Sequence, residues 1–383
     1  MTLLLERPGD DPKTHAFVVG VGKYTHLSGG KHVIQENLGL GQLTSPPISA
    51  RAFADWLVEE LDNTNAPLGS VEMLVSPAGR YRSPQGVADV EVEAATMANV
   101  KQAFTRWKGS CNTHEGNVAI FYFCGHGVKK AGLALLLEDF GSNPDRLFEN
   151  AIDFEATHEG MMSTCKAHIQ CFFADACRQV PYRLLEMEVE ATALCDRMFR
   201  RHLPADAPRF YATPPNNSAY GLAEEATFYT KALLQALRGT GSIRLRGKWR
   251  VTTGRLHEGI REAMRIAQRR HQAPKQRAQL GGEIRGDGAL QILSNRPVVP
   301  VSITLDPPEA ADHATLSLVS ADDPKIRKTK IREAGDWELD LKAGKYNGAA
   351  DFGRAAFRNG TWAVDVFPPS GEEVWPVGLS ENG

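Results

Sequence analysis

Two stretches of the chain carry residue types able to do nucleophilic chemistry. Asn117–Lys130 reads NVAIFYFCGHGVKK, an apolar run that stops at Cys124, Gly125, His126 and Gly127. Residues 167–177 read AHIQCFFADAC, a second apolar run, which stops at Cys177. A histidine that serves only the core sits inside such a run. Between two glycines at its tip, the backbone turns sharply and comes close to a neighbour. A nucleophilic thiol needs an imidazole in reach to hold or accept its proton, so that thiolate is available near neutral pH. His126 and Cys177 meet that need if their strands are neighbours. They then form a Cys–His dyad, with His126 as general base and acid. The backbone N–H groups of Gly127 and Cys177 are placed to receive a developing oxyanion. Cys124, Cys165 and Cys171, like His158, His168 and His202, read as core or bystander residues. What separates His126 and Cys177 from them is the conjunction of two strand ends, histidine first.

The surrounding pattern supplies those strands. Near-continuous apolar runs at 15–24, 71–76, 117–124, 167–177 and 209–214 read as buried strands. Amphipathic helices fall between them: 49–61 puts Phe53, Trp56, Leu57 and Leu61 on one face, and 97–108 aligns Val100, Phe104 and Trp107. TFYTKALLQALRG follows the fifth strand as another helix. This alternation predicts an α/β fold, a mostly parallel sheet covered on both faces in an αβα sandwich. Chemistry in such a sheet sits outside the carboxyl ends of the strands, where His126 and Cys177 fall. Beyond about residue 296 the pattern changes to short alternating stretches, VSITL, ATLSLVS and WELDL, split by Pro, Gly and Asp. These predict a C-terminal β-sandwich over 297–383.

Composition excludes several classes. Of 383 residues, 42% are hydrophobic and 23% charged, enough apolar material for a full core without staples. A net charge of −2 and a pI of 6.6 give no overall pull toward nucleic acid or membrane. The arginine-rich segment 238–277 lacks the interleaved aromatics that stack on bases, and its basic face is expected to be solvated. The sequence has no apolar run of about 18 residues, and MTLLLERPGDDPK lacks the basic start of a signal peptide. Six cysteines without CxxC spacing suggest neither a zinc site nor a disulfide framework. A reducing cytoplasm, where a free thiol survives, is the expected location.

Together, FYFCGHG and FFADACRQ resemble the histidine and cysteine motifs of the clan that includes caspases, metacaspases and bacterial caspase-like peptidases. In that clan the histidine lies about 50 residues upstream of an ACR-type cysteine motif. The opening VVGVGKY, the helix SARAFADWL, the stretch ATFYTKALLQAL and the last helix GRLHEGIREAMRIAQ fall in the family's order. The resemblance covers about residues 14–295. It implies a peptidase domain over 1–296, with a large-subunit-like part (1–182), a linker (183–208) and a small-subunit-like part (209–296). It also implies a cysteine endopeptidase without cofactor or metal, with protein substrates. Stress response, programmed death and phage defence are all compatible pathways.

Asp175, two residues before Cys177, stands where arginine-cutting members of this clan carry aspartate. The resemblance implies that it reads Arg or Lys at P1, and a guanidinium can bind a carboxylate in two places at once. The other reading makes Asp175 a helix cap. Metacaspases usually have a second pocket aspartate at the start of the first helix, where this chain has Ile48 and Ser49. Asp139, Asp153 and Glu155 are the candidates to replace it. The linker ends CDRMFRRHLPADAP, and its Arg200 and Arg201 are the expected processing sites, with Pro204 and Pro208 keeping the segment out of helix and strand. Activation would then need a second copy, an upstream protease or a regulatory protein. The rival expectation is a caspase-fold scaffold without catalysis.

Overall fold

The structure is a computed structural model that describes residues 2–179, 189–199, 204–271, 275–353 and 356–380. Its centre is a seven-stranded sheet. In chain order the strands are β1 (Leu3–Glu6), β2 (Thr14–Val21), β3 (Leu68–Ser76), β4 (Val118–Gly125), β5 (Ile169–Ala176), β6 (Asp206–Tyr211) and β7 (Gln279–Ile284). They are arranged β1-β3-β2-β4-β5-β6-β7. The five inner strands are parallel, and β1 and β7 close the two edges antiparallel.

Every residue of β2, β3 and β4 is buried, as the unbroken apolar runs require of a sheet covered on both sides. The alternation of side chains splits each strand between two cores. On one face Phe17, Phe121 and Phe172 line up across β2, β4 and β5. The Phe121 and Phe172 rings stack at 4.9 Å, and helices α2 (Met97–Cys111) and α3 (Phe154–Thr164) cover them. On the other face Tyr122, Phe173 and Phe210 pair across β4, β5 and β6. Helices α1 (Ser45–Glu59), α4 (Phe228–Gln235) and α5 (Thr253–His271) pack over that side. Helix α1 starts with prolines in its first turn, where the missing N–H has no intrahelical partner to lose. It presses so closely on β2 that a Cβ at Gly20 would lie 2.6 Å from the Ala50 methyl.

Sequence patterning anticipates the five inner strands and their covering helices. It misses both edge strands and the hairpins at 79–92, 127–136 and 242–252. The two edge strands are short and partly exposed, so their apolar periodicity is weak, and the hairpin strands, three to five residues each, are too short to show a period. One expectation needs correction. Pro208 lies inside β6, opposite Gly282 of β7, instead of keeping its segment out of a strand. The parallel ladder with β5 skips from Ile169–Asp206 to Phe172–Arg209, and Gly282 adopts φ +76°. The ladder is thus irregular at the place where the proline lacks an N–H.

The C-terminal region forms two more sheets. One has the order 337–342, 298–306, 371–376, and the other 327–331, 315–320, 344–351, 360–366. Val301, Ile303, Leu316, Leu318, Val364 and Trp375 share one apolar cluster between them. Most of their strands alternate in burial, as in Thr315–Ser320, so their outer faces meet water, whereas the central strand 298–306 is buried on both sides from Val299 to Ile303.

Candidate active site

Strands β4 and β5 are adjacent and in register, with Ala176 opposite Gly125. The next residue on each strand is therefore His126 and Cys177. The sequence places these two at strand ends, and the sheet makes the ends neighbours. Past His126 the chain enters a short strand, 127–129, whose Lys129 N–H donates to the Gln179 carbonyl at 3.0 Å. Alternation along this strand turns the Gly127 N–H to the same side, toward the backbone after Cys177. Gly127 packs against that backbone closely enough that a Cβ there would lie 2.5 Å from the Cys177 carbonyl oxygen. A side chain at this position would push the two strand ends apart.

His126 is held from below and from one side. Its backbone N–H donates to the Tyr24 hydroxyl at 2.8 Å, and the Tyr24 hydroxyl donates to the Val21 carbonyl at 3.0 Å. The two rings lie 4.9 Å apart, centroid to centroid. Nε2 of His126 is 2.8 Å from the Gly41 carbonyl. A carbonyl only accepts, so Nε2 carries a proton and Nδ1 is the basic nitrogen of the neutral ring. Gln42 fixes the loop that presents Gly41, bonding both the N–H and the carbonyl of Tyr24. Burial holds the His126 imidazole below its usual pKa, with the Gly41 contact acting the other way.

Cys177 is half-buried. Its Sγ accepts from the Ala219 N–H at 3.2 Å and lies 3.6 Å from the Ala219 carbonyl. Burial pushes the thiol pKa up, opposed by the Ala219 N–H and reinforced by the charge of Asp175. No hydrogen bond joins the thiol to the imidazole. Ala219 belongs to the segment after β6. That segment is tied down where Ser45 donates to the Leu222 carbonyl at 2.8 Å and where the Glu224 N–H reaches Thr44 at 3.0 Å. The thiol is therefore covered by a strap anchored on the start of α1.

Asp175, two residues before Cys177, lies on the Phe173 face of β5 under α4 and is only 2% exposed. Its Oδ2 accepts from the hydroxyls of Thr227 and Thr230, the latter at 2.6 Å. Its Oδ1 is buried without a hydrogen-bond partner. Desolvation raises its pKa, against the two threonines and Cys124. Thr227 is the N-cap of α4 and accepts from the Thr230 N–H. Asp175 thus steadies a helix start that belongs to α4, not the segment directly after it. Ser49 occupies the same neighbourhood, accepting from the Thr227 N–H at 3.0 Å. The three candidates for a second carboxylate are engaged elsewhere. Asp153 caps α3, Asp139 accepts from the Met97 N–H, and Glu155 accepts from the Leu133 N–H.

Cys124, Cys165 and Cys171 are buried in the cores. Arg200 and Arg201 lie outside the described residues. Among the described residues no group of three His, Cys, Asp or Glu side chains gathers to hold a metal. No helix among them is long and apolar enough to cross a membrane. Sequence reasoning missed Tyr24, Gly41 and Ala219 as site residues. Two of these act through backbone atoms, which leave no mark on residue type. Thr227 and Thr230 carried a signal, two hydroxyls three residues apart at a helix start.

The caspase domain family matches residues 14–283, a span that holds every site residue described above. The chain is 29% identical over 296 residues to the uncharacterised protein y4kE of Sinorhizobium fredii (strain NBRC 101917 / NGR234), covering 73% of this chain and 83% of that one. It is also 29% identical over 208 residues to a "Probable protease" of a Desulfuromonadales bacterium, covering 51% of this chain and 24% of that one. Caspase-1 from Spodoptera frugiperda is similar in structure at a TM-score of 0.40 and 11% identity, over 73% of this chain and 92% of that one. With the match to the family spanning well over half its length, the chain belongs to the caspase domain family.

Proposed function

We propose that the chain is a cysteine endopeptidase that cuts proteins after arginine or lysine. The observation that carries the reading is the meeting of Cys177 and His126 on adjoining strand ends, beside a buried Asp175 with one unpartnered oxygen. In the reaction, His126 Nδ1 takes the thiol proton and Sγ attacks the scissile carbonyl carbon. The oxyanion forms against the Gly127 and Cys177 N–H groups. The imidazolium then gives its proton to the leaving amine, and a water activated by the neutral ring hydrolyses the thioester. Gly41 keeps the ring in the required tautomer. An arginine at P1 supplies the donors that Asp175 Oδ1 lacks, and Ser49 leaves Asp175 to carry the pocket's charge alone.

The conformation described here is the resting one. The thiol is bonded to Ala219 instead of His126, and its raised pKa disfavours thiolate. Substrate enters when the strap moves off Cys177. Cleavage of the linker after Arg200 or Arg201, by a second copy or by an upstream protease of like specificity, is the proposed trigger. The covered thiol is also what a scaffold without catalysis would present, so the test must separate the two.

The test is cleavage of fluorogenic peptides with Arg, Lys or Asp at P1, with intact-mass analysis of the protein in parallel. Arg and Lys peptides should be cut and Asp peptides spared. Cys177→Ala and His126→Ala should each lose about 10³-fold or more in rate with the fold intact. Asp175→Asn should lose about 10²-fold in its preference for arginine. Full activity in Cys177→Ala would sink the mechanism. No cleavage by either the whole or the linker-cut chain would favour the scaffold.

A further inference from the structure

A cleft of about 640 Å³ lies at the junction between the caspase domain and the C-terminal sheets, a volume within the range of small-molecule sites, roughly 300–1,000 Å³. The hairpin 242–252 and the strand 289–293 form a three-stranded sheet beside it. Its register sets Arg244 opposite Trp249, and Trp249 opposite Leu293. Directly opposed residues share a face, and this face lines the cleft. The C-terminal region adds Lys345 and Phe367. Trp249 is buried with its ring stacked on Phe367 at 6.3 Å, and Phe367 is 41% exposed. The cleft therefore has an aromatic floor that is partly open to a ligand.

Charge in the cleft is unbalanced. Four cations line it, Arg244, Lys248, Arg296 and Lys345, against two carboxylates, Asp62 and Asp322. Arg296 is paired with Asp322. Lys345 has Asp365 at 3.9 Å, with both side chains well exposed. Arg244 and Lys248 are exposed, and among the described residues neither has a carboxylate within ion-pair distance. Like charges around one concave wall concentrate their field there, and an anion offsets it. Asp62 is anchored by its backbone, which accepts from the Ile292 N–H at 2.6 Å and donates to Gln291 Oε1 at 2.8 Å. Its carboxylate has no ion-pair partner among the described residues.

We propose that this cleft binds a nucleotide, with its base on the aromatic floor and its phosphates on Arg244, Lys248 and Lys345. A simple anion would use the cations alone, and an apolar molecule the rings alone. A nucleotide uses both, since every base has a face that stacks on an aromatic ring and arginine meets phosphate oxygens in two places. The one free carboxylate, Asp62, suits the sugar, whose hydroxyls donate to it. Several lining residues, among them Leu293, Lys345 and Phe367, lie beyond residue 283, where the match to the caspase domain ends. The site is also apart from the thiol. Asp62 follows the end of α1, whereas Thr44 and Ser45, which anchor the strap over Cys177, stand at its start. The 15 residues of that helix span about 22 Å. The nucleotide is thus a ligand of the junction and not a substrate at Cys177, and the proposal does not depend on the peptidase reading.

Full-length, unmutated protein is titrated in a calorimeter with ATP, GTP, CTP and UTP, with the matching monophosphates and nucleosides, and with inorganic triphosphate and phosphate. At least one nucleotide should bind about tenfold more tightly than its own nucleoside and than the inorganic anion, and more weakly as salt rises. Arg244→Gln/Lys248→Gln changes two exposed side chains and should weaken that nucleotide about tenfold while leaving the melting temperature in place. Phe367→Ala should weaken the nucleotide about fivefold and leave the affinity for the inorganic anion unchanged. Absence of binding by every nucleotide up to about 1 mM overturns the proposal. Equal affinity for nucleotide and inorganic anion also overturns it, because the cleft would then bind charge without reading the base. Nucleotide binding that survives both the double substitution and Phe367→Ala takes place elsewhere on the molecule and overturns it too.

Discussion

The parallel sheet and the C-terminal sheets bury apolar side chains in different ways, and the difference sets what each can do. In the parallel sheet both faces are covered, so Phe172 stacks on Phe121 at 4.9 Å while its neighbour Phe173 stacks on Phe210 at 4.8 Å on the opposite side. A strand buried on both faces has only its ends to offer to solvent. His126 and Cys177 stand there, and Asp175 is drawn into the interior just before. The C-terminal strands, apart from the doubly buried 298–306, bury one face each, as in Thr315–Ser320. Their outer faces and loops remain free for contact, and it is a loop residue, Phe367, that reaches the cleft at the junction. The two regions meet through charge as well as apolar packing. Arg269 pairs with Glu338 and Glu372 at 3.1 Å each, Arg270 pairs with Glu338 at 2.9 Å, and Trp249 stacks on Phe367 at 6.3 Å. The basic face of α5, expected to be solvated, is thus partly a clamp.

If the parallel sheet is the more densely coupled of the two, a cavity in it should cost most. Phe172→Ala removes a ring packed against Phe121, Trp107, Phe154 and His158, and should cost about 3–5 kcal/mol. Leu318→Ala in the C-terminal core should cost less, about 2–3 kcal/mol. Calorimetry should show the two changes acting on different transitions. A single transition shifted equally by both would break the comparison and make the chain one cooperative unit.

Acid should find the parallel sheet first. Burial holds His15 down to about 4 and His158 down to about 3, with Lys13 and Arg209 adding to the effect. Both rings are neutral in the native state at pH 6, whereas an unfolded chain begins to take up protons below about 6.5. The unfolded state then binds more protons, so stability falls as pH drops from about 6.5 to about 4. The loss should reach several kcal/mol, read as a falling urea midpoint across that window. His158→Gln should flatten the fall. A midpoint independent of pH between 6.5 and 4 would show that these rings are not neutral by burial.

The clamp should matter least. The side chains of Glu338 and Glu372 are 31% and 52% exposed, and exposed pairs contribute about 1 kcal/mol or less. Glu338→Gln/Glu372→Gln should leave the main unfolding transition within about 1 kcal/mol of its starting value. Hydrogen exchange should nevertheless quicken in the C-terminal strands that face α5. A loss of several kcal/mol would mean the seam behaves as core.

How much of this was legible in the sequence differs from residue to residue. His126 and Cys177 stood out because each ends a run that can only be a buried strand. Phe53, Trp107 and Val100 followed from helical spacing, and Leu316 and Leu318 from alternation. The edge strand β7 did not show, because QLGGEI has neither an apolar run nor clean alternation. Its place is fixed by pairing with β6, a contact across some 70 positions of chain that no local pattern encodes.

Residue types and their periods thus determined the layer order, the two-faced burial of the central strands and the two side chains proposed here as the catalytic pair. These follow from where apolar surface must go. Only the tertiary structure decided what surrounds those side chains. It brought the Gly41 carbonyl to His126, laid Ala219 over the thiol, turned Asp175 toward Thr227 and Thr230, and gathered Arg244, Lys248 and Phe367 around one cleft. Each of these depends on backbone atoms or on contacts between distant segments. Their geometry is set by how the covering loops pack on the sheet, and the order of residue types along the chain does not record it.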